Sequence, residues 1–160
     1  MHYNRGAGSV LAVFALACGS NGGSSTGPSP TYETIAGTYA GSLAGTSQGI
    51  ALQANFTLTI TQASGNLGGS YSIAGTLSNG VQTVPLQGTG TLAGTIAAGN
   101  NPSVNITVTN GVCSNVRDGF AGAYDGNNHV ITLTGPVDIF DASNCQVILT
   151  YPNSTIILRR

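Results

Sequence analysis

Leu52-Gln53-Ala54-Asn55-Phe56-Thr57-Leu58-Thr59-Ile60-Thr61 alternates apolar and polar side chains without a break. Successive side chains of an extended chain point to opposite faces, so Leu52, Ala54, Phe56, Leu58 and Ile60 form one row. Gln53, Asn55, Thr57, Thr59 and Thr61 form the other. A helix would scatter both rows around its axis. The segment therefore reads as an antiparallel strand with one face in a core and one in water.

The same period extends in both directions. Upstream, Ile35, Gly37, Tyr39, Gly41 and Leu43 share a face opposite Ala36, Thr38, Ala40 and Ser42. Downstream, strands are expected over residues 67–77, 81–96 with a break at Pro85, 104–108, 120–124, 129–139, 145–151 and 155–159. Turn residues separate them: Gly65-Asn66, Asn79-Gly80, Gly99-Asn100-Asn101-Pro102, Asp125-Gly126-Asn127-Asn128 and Pro152-Asn153. Asn79-Gly80 is the strongest hairpin signal, because both residues accept the positive φ of a type I′ turn. A weak internal likeness links 37–43, 69–73 and 121–126, each with Gly beside Tyr. Inward glycines with neighbouring aromatics suit tightly curved sheets. The expected fold is all-β: a small antiparallel β-barrel of eight to ten strands, with a two-sheet β-sandwich as the alternative. An eight-stranded transmembrane barrel is a third, weaker reading.

Composition narrows the function. The 160 residues include 24 Gly, no Trp and no Lys, and only 6% are charged, with a net charge of -1. No basic face is available for phosphates, which excludes nucleic acid as a partner. The chain is 41% hydrophobic, enough to build a core.

The first residues carry an address. Arg5 precedes the apolar run Val10–Ala17, which is too short to span a membrane, and Ala15-Leu16-Ala17 offers a cleavage site. Ala15-Leu16-Ala17-Cys18 resembles the lipobox of bacterial lipoproteins, although that pattern prefers Leu three residues before the Cys and a small residue two before. The resemblance implies lipidation of Cys18 and anchoring to the cell envelope through the lipid. Gly19 in place of Asp implies the outer membrane, facing the periplasm or the exterior. A soluble secreted product is the alternative. The expected organisation is a signal peptide over 1–17, the lipidated Cys and a Gly/Ser/Pro linker over 18–31, and the β domain over 32–160. Of the three cysteines, lipidation accounts for Cys18 and leaves Cys113 and Cys145 to form a disulfide.

The β domain is loosely similar to the lipocalin and avidin class of small barrels, without the Trp that lines avidin pockets. Its chemistry is sparse. His129 reads as an exposed residue at a strand end, and Asp138, Asp141 and Asn144 as a turn, not a calcium loop. Arg117-Asp118 falls in an expected polar loop, where the carboxylate would neutralise the guanidinium. No catalytic set, metal site or cofactor is expected, and the chain reads as a non-enzyme. Two functions remain open. One is a binding module in which Phe56, Tyr71, Leu92, Tyr124 and Tyr151 surround a small apolar or amphipathic ligand. The other is a structural or protein-interaction component of the envelope with a filled interior.

Overall fold

A computed structural model describes residues 27–160 of the chain. The expected signal peptide, Cys18 and the linker up to residue 26 lie outside the described residues. Eight strands follow in order: β1 (Gly37–Ser47), β2 (Ile50–Ala63), β3 (Asn66–Ser78), β4 (Thr83–Ile96), β5 (Ser103–Asn110), β6 (Arg117–Asp125), β7 (Val130–Asp141) and β8 (Gln146–Arg159). Each pairs antiparallel with the next, and β8 returns to β1 to close a barrel. The closing pairs are Ala40 with Arg159, Gly41 with Leu158 and Ser42 with Ile157. That ladder excludes the sandwich.

The alternation on β2 places its apolar row inside: Leu52, Ala54, Phe56, Leu58 and Ile60 are all buried. They join one continuous core with Tyr39, Leu43, Val104, Ile106, Ile131, Leu133 and Leu158. The outward rows, such as Thr89, Thr91 and Thr95 on β4 and Asn105 and Thr107 on β5, are exposed polar residues. A barrel that spans a bilayer has the reverse distribution, with an apolar band outside.

The internal likeness has a structural meaning. Tyr39, Tyr71 and Tyr124 are buried, and each follows by two residues a glycine on the same inward face: Gly37, Gly69 and Gly122. At Gly122 a Cβ would overlap the carbonyl oxygen of Thr132 on β7, so β6 and β7 approach more closely than any side chain allows. Gly90 stands opposite Tyr71 in the β3–β4 ladder, and a Cβ there would meet the tyrosine ring at 2.6 Å. The ring fills the space that the glycine vacates.

Local corrections concern the turns. Pro152-Asn153 is not a turn: residues 146–151 and 155–159 belong to the single strand β8, and Cys145 falls in the loop before it. Asn153 takes φ 57°, and the β7–β8 register slips between Gly135–Ser154 and Val137–Tyr151. This is a bulge, and it accommodates proline because β8 pairs with β1 only beyond it, from Ile157. Pro85 does not break β4. It lies in the part of that strand that precedes the first β5 pair, Gly90 with Asn110, and so has a free edge. Asn79-Gly80 does mark a hairpin, but the loop has four residues between Ser78 and Thr83. Asn79 Oδ1 accepts from the N–H groups of Val81 and Gln82, at 3.0 and 2.7 Å. The two-residue turn with positive φ at both positions is Gln48-Gly49, at 51° and 78°.

The two ends of the barrel differ. At one, residues 31–35 cross the opening. Ile35 is fully buried, and its N–H donates to Gln62 Oε1 at 2.8 Å. The Gln62 amide donates back to Glu33 O at 2.9 Å, and Gly99 N–H donates to Thr31 O at 3.1 Å. The N-terminal segment thus plugs this end. The β1–β2, β3–β4, β5–β6 and β7–β8 connections form the opposite, distal end.

Candidate ligand cavity

At the distal end the wall opens because its strands are unequal. β5 and β6 have 8 and 9 residues, whereas β2, β4 and β8 each have 14. β6 pairs with β7 only as far as Ala121–Thr134, so the distal half of β7 is paired with β8 alone. Between these parted walls lies a cavity of about 320 Å³, at the small end of the roughly 300–1,000 Å³ usual for ligand sites. Phe56, Val108 and Phe120 border it toward the barrel centre. Tyr71, Ile73 and Leu86 form one wall and Val137, Ile139 and Phe140 the facing one, with Leu77, Pro85 and Ala142 toward the hairpin tips. Gly88 lines it without a side chain to fill it. Phe56 stacks on Tyr71 with centroids 5.7 Å apart and an interplanar angle of 20°. This fixes the tyrosine ring against the barrel centre.

Besides Gln87 on β4, polar groups interrupt this lining at three places. Asp118 follows the inward row of β6 with Phe120, Gly122 and Tyr124. Its Oδ2 accepts the Asp138 N–H at 3.3 Å, while Oδ1 is buried without a hydrogen-bond partner. Burial pushes the carboxyl up to about 6, the charge of Asp138 adds to that, and the Asp138 N–H opposes it. Asn110, buried at the end of β5, donates from Nδ2 to Tyr71 OH at 3.5 Å. Its Oδ1 accepts the N–H groups of Val112 and Cys113, both at 2.8 Å, and so shapes the β5–β6 loop. Asp138 is engaged by the Thr150 hydroxyl, which donates to its Oδ1 at 2.6 Å.

A disulfide joins Cys113 in the β5–β6 loop to Cys145 in the β7–β8 loop, with Cα atoms 5.4 Å apart. Asn115 Nδ2 reinforces it by donating to Cys145 O at 3.2 Å. Val116 and Ala142, within the same two connections, line the cavity. The bond therefore staples two sides of the cavity mouth.

The structure separates the five residues read from sequence as ligand contacts. Phe56 and Tyr71 line the cavity. Leu92, Tyr124 and Tyr151 are buried elsewhere. Tyr124 lies near the plug, its hydroxyl 3.3 Å from Thr34 O and 3.0 Å from His129 Nδ1. Tyr151 donates to Ile50 O at 3.2 Å across the distal part of the β1–β8 seam. His129 is exposed in the β6–β7 turn at φ 53°. Asp141 accepts from the N–H and hydroxyl of Ser143 at 2.8 and 2.7 Å, which makes 141–144 a self-capped turn. Arg117 and Asp118 are not in a loop: they begin β6, and strand alternation sends them to opposite faces. Arg117 is exposed, with Nε donating to Ser114 O at 3.4 Å. Asp118 was thus missed as a cavity residue, although its spacing of two from Phe120 was a legible signal.

No protein-family model, curated protein sequence or solved structure shows significant similarity to the chain. Fold and site alone define its class: a closed, eight-stranded, up-and-down antiparallel barrel, plugged at one end and carrying an apolar cavity at the other.

Proposed function

We propose that the protein is an exported barrel, held at a bacterial membrane through lipidated Cys18, that takes up a small apolar or amphipathic molecule at its distal end. The observation that carries the reading is the apolar cavity between the parted ends of β3–β4 and β7. The rim supports it. Val81, Val84, Val112, Val147 and Ile148 are exposed at this end, where an apolar ligand would first touch the protein. The disulfide fits an oxidising compartment outside the cytoplasm. In this reading the barrel binds and does not catalyse. His129 belongs to the opposite end, in contact with Tyr124, and takes no part in the cavity.

The test uses 1-octanol as an uncharged octyl probe, with melting followed by circular dichroism because the chain has no Trp to report by fluorescence. Octanol raises the Tm of the wild type in proportion to the logarithm of its concentration above Kd. Ile73→Trp, which fills the cavity, removes the rise while the barrel spectrum is kept. An unchanged wild-type Tm across the soluble range of octanol contradicts the proposal and favours the second reading, in which the same apolar rim docks an envelope protein.

A further inference from the structure

The lining of the cavity is apolar, but its charge is one-sided. Two carboxylates border it, Asp118 on β6 and Asp138 on β7. No cation does. The chain has no Lys, and among the described residues its arginines stand elsewhere. Arg117 is exposed on the outward face of β6, while Arg159 ends β8 at the proximal end and Arg160 follows it. The remaining polar residues of the lining are Tyr71 from β3, Gln87 from β4 and Asn110 from β5, and of these Tyr71 and Asn110 are in contact with each other. The Asn110 carbonyl is already occupied by two backbone N–H groups.

Within this set one atom stands out. Asp118 Oδ1 is buried with no donor, although a carboxylate oxygen out of water costs free energy until it is hydrogen-bonded. The other oxygen of the same group accepts the Asp138 N–H at 3.3 Å. An acceptor without a donor, on a side chain that lines an apolar cavity, is complementary to a donor on an apolar body that meets it through a small turn of the carboxyl group.

Resting on the reading of the cavity as a ligand site, we infer that its ligand is an amine-bearing amphiphile, with the ammonium donating to Asp118 Oδ1 and the hydrocarbon against Phe56, Ile73, Val108 and Val137. An anionic amphiphile such as a fatty acid is rejected. Its carboxylate would face Asp118 without a counter-ion, with the charge of Asp138 close behind, in a site where low polarity strengthens repulsion. A neutral alcohol is accepted with intermediate affinity, since it donates one hydrogen bond but gains no ion pair.

Ionisation gives the pairing a signature. Burial holds Asp118 near 6, so the group is mostly protonated at pH 5 and mostly charged at pH 7.5. The ammonium remains charged over that range. Only the charged Asp118 pairs with it, and the competent fraction rises about tenfold between these pH values.

The experiment compares octylammonium, octanol and octanoate on the oxidised protein, each below its micelle-forming concentration, by calorimetry at pH 5 and 7.5. Octylammonium binds at least tenfold more tightly than octanoate at pH 7.5, and its affinity falls about tenfold at pH 5. Octanol shows no such pH dependence. Asp118→Asn brings octylammonium to within about threefold of octanol and removes its pH dependence. The three-ligand comparison on the wild type needs no variant, so it stands even if Asp118→Asn fails to fold. If octanoate binds as well as octylammonium while octanol also binds, the inference is overturned and the cavity reading survives. If none of the three binds, both fall together.

Discussion

A carboxylate moved from water into the wall of an apolar cavity holds its proton more tightly, and Asp118 is such a group. In the unfolded chain it titrates near 3.8, and in the barrel near 6. Between those values the folded state keeps a proton that the unfolded state has released. Folding stability therefore falls as pH rises through that window and levels off above it. A displacement of about two units corresponds to just under 3 kcal/mol, and partial solvent access at this site reduces that to about 1–2 kcal/mol. Asp118→Asn keeps an acceptor for the Asp138 N–H and removes the charge. Its expected effect is a gain of about 1–2 kcal/mol at pH 7.5 and almost none at pH 4, read from denaturant melts across that range. A gain that is the same at both pH values, or a loss at pH 7.5, contradicts the assignment.

At the scale of elements, the barrel depends on connections that the sequence describes unevenly. Alternation on β2 was fully legible because Gln53, Asn55, Thr57, Thr59 and Thr61 are all polar and all outward, and the Gly-x-Tyr pattern exposed the curved parts of β1, β3 and β6. Pro152-Asn153 misled because a bulge and a turn use the same residues. What decides between them is that Tyr151 and Ser154, on either side, both still pair with β7. Asp118 misled because an Arg-Asp pair suggests mutual neutralisation, whereas one residue of strand spacing sends the two charges to opposite faces. Leu92, Tyr124 and Tyr151 were correctly read as inward, but the depth of each along the barrel follows from the register, which no single strand contains. The Cys113–Cys145 staple acts at this scale, because it closes a 32-residue separation that holds β6 and β7. The loop entropy it removes from the unfolded chain is worth about 3–4 kcal/mol. Cys113→Ser with Cys145→Ser lowers stability by about that amount. It also weakens the Tm rise with octanol, because Val116 and Ala142 at the mouth lose their link. Equal stability of the bonded and double-variant proteins in matched melts contradicts that role.

For the whole molecule, the arrangement of ends decides where a ligand comes from. The N-terminal segment enters at the plug, so any anchor upstream of it attaches at the proximal end, and the cavity faces away. Fourteen-residue strands, tilted as in a closed barrel, span roughly 35 Å along the axis. The Gly/Ser/Pro composition of the linker gives an expected reach of roughly 20 Å. In the proposed lipoprotein the cavity mouth thus stands tens of ångströms from the anchoring bilayer. It would collect its ligand from solution or from a facing surface, not from the membrane that holds it. This separates tethering from binding, and the two are tested independently in a bacterial host. Mass spectrometry of the membrane fraction is expected to show a diacylated Cys18 at the mature N-terminus. Cys18→Ser moves the protein to the soluble fraction, and the octanol response of the released barrel is unchanged. A wild-type product that is soluble and begins at Cys18 with a free amine removes the tether from the proposal. A released Cys18→Ser barrel that has lost its octanol response shows instead that anchoring and binding are coupled, which the opposed ends of this barrel do not permit.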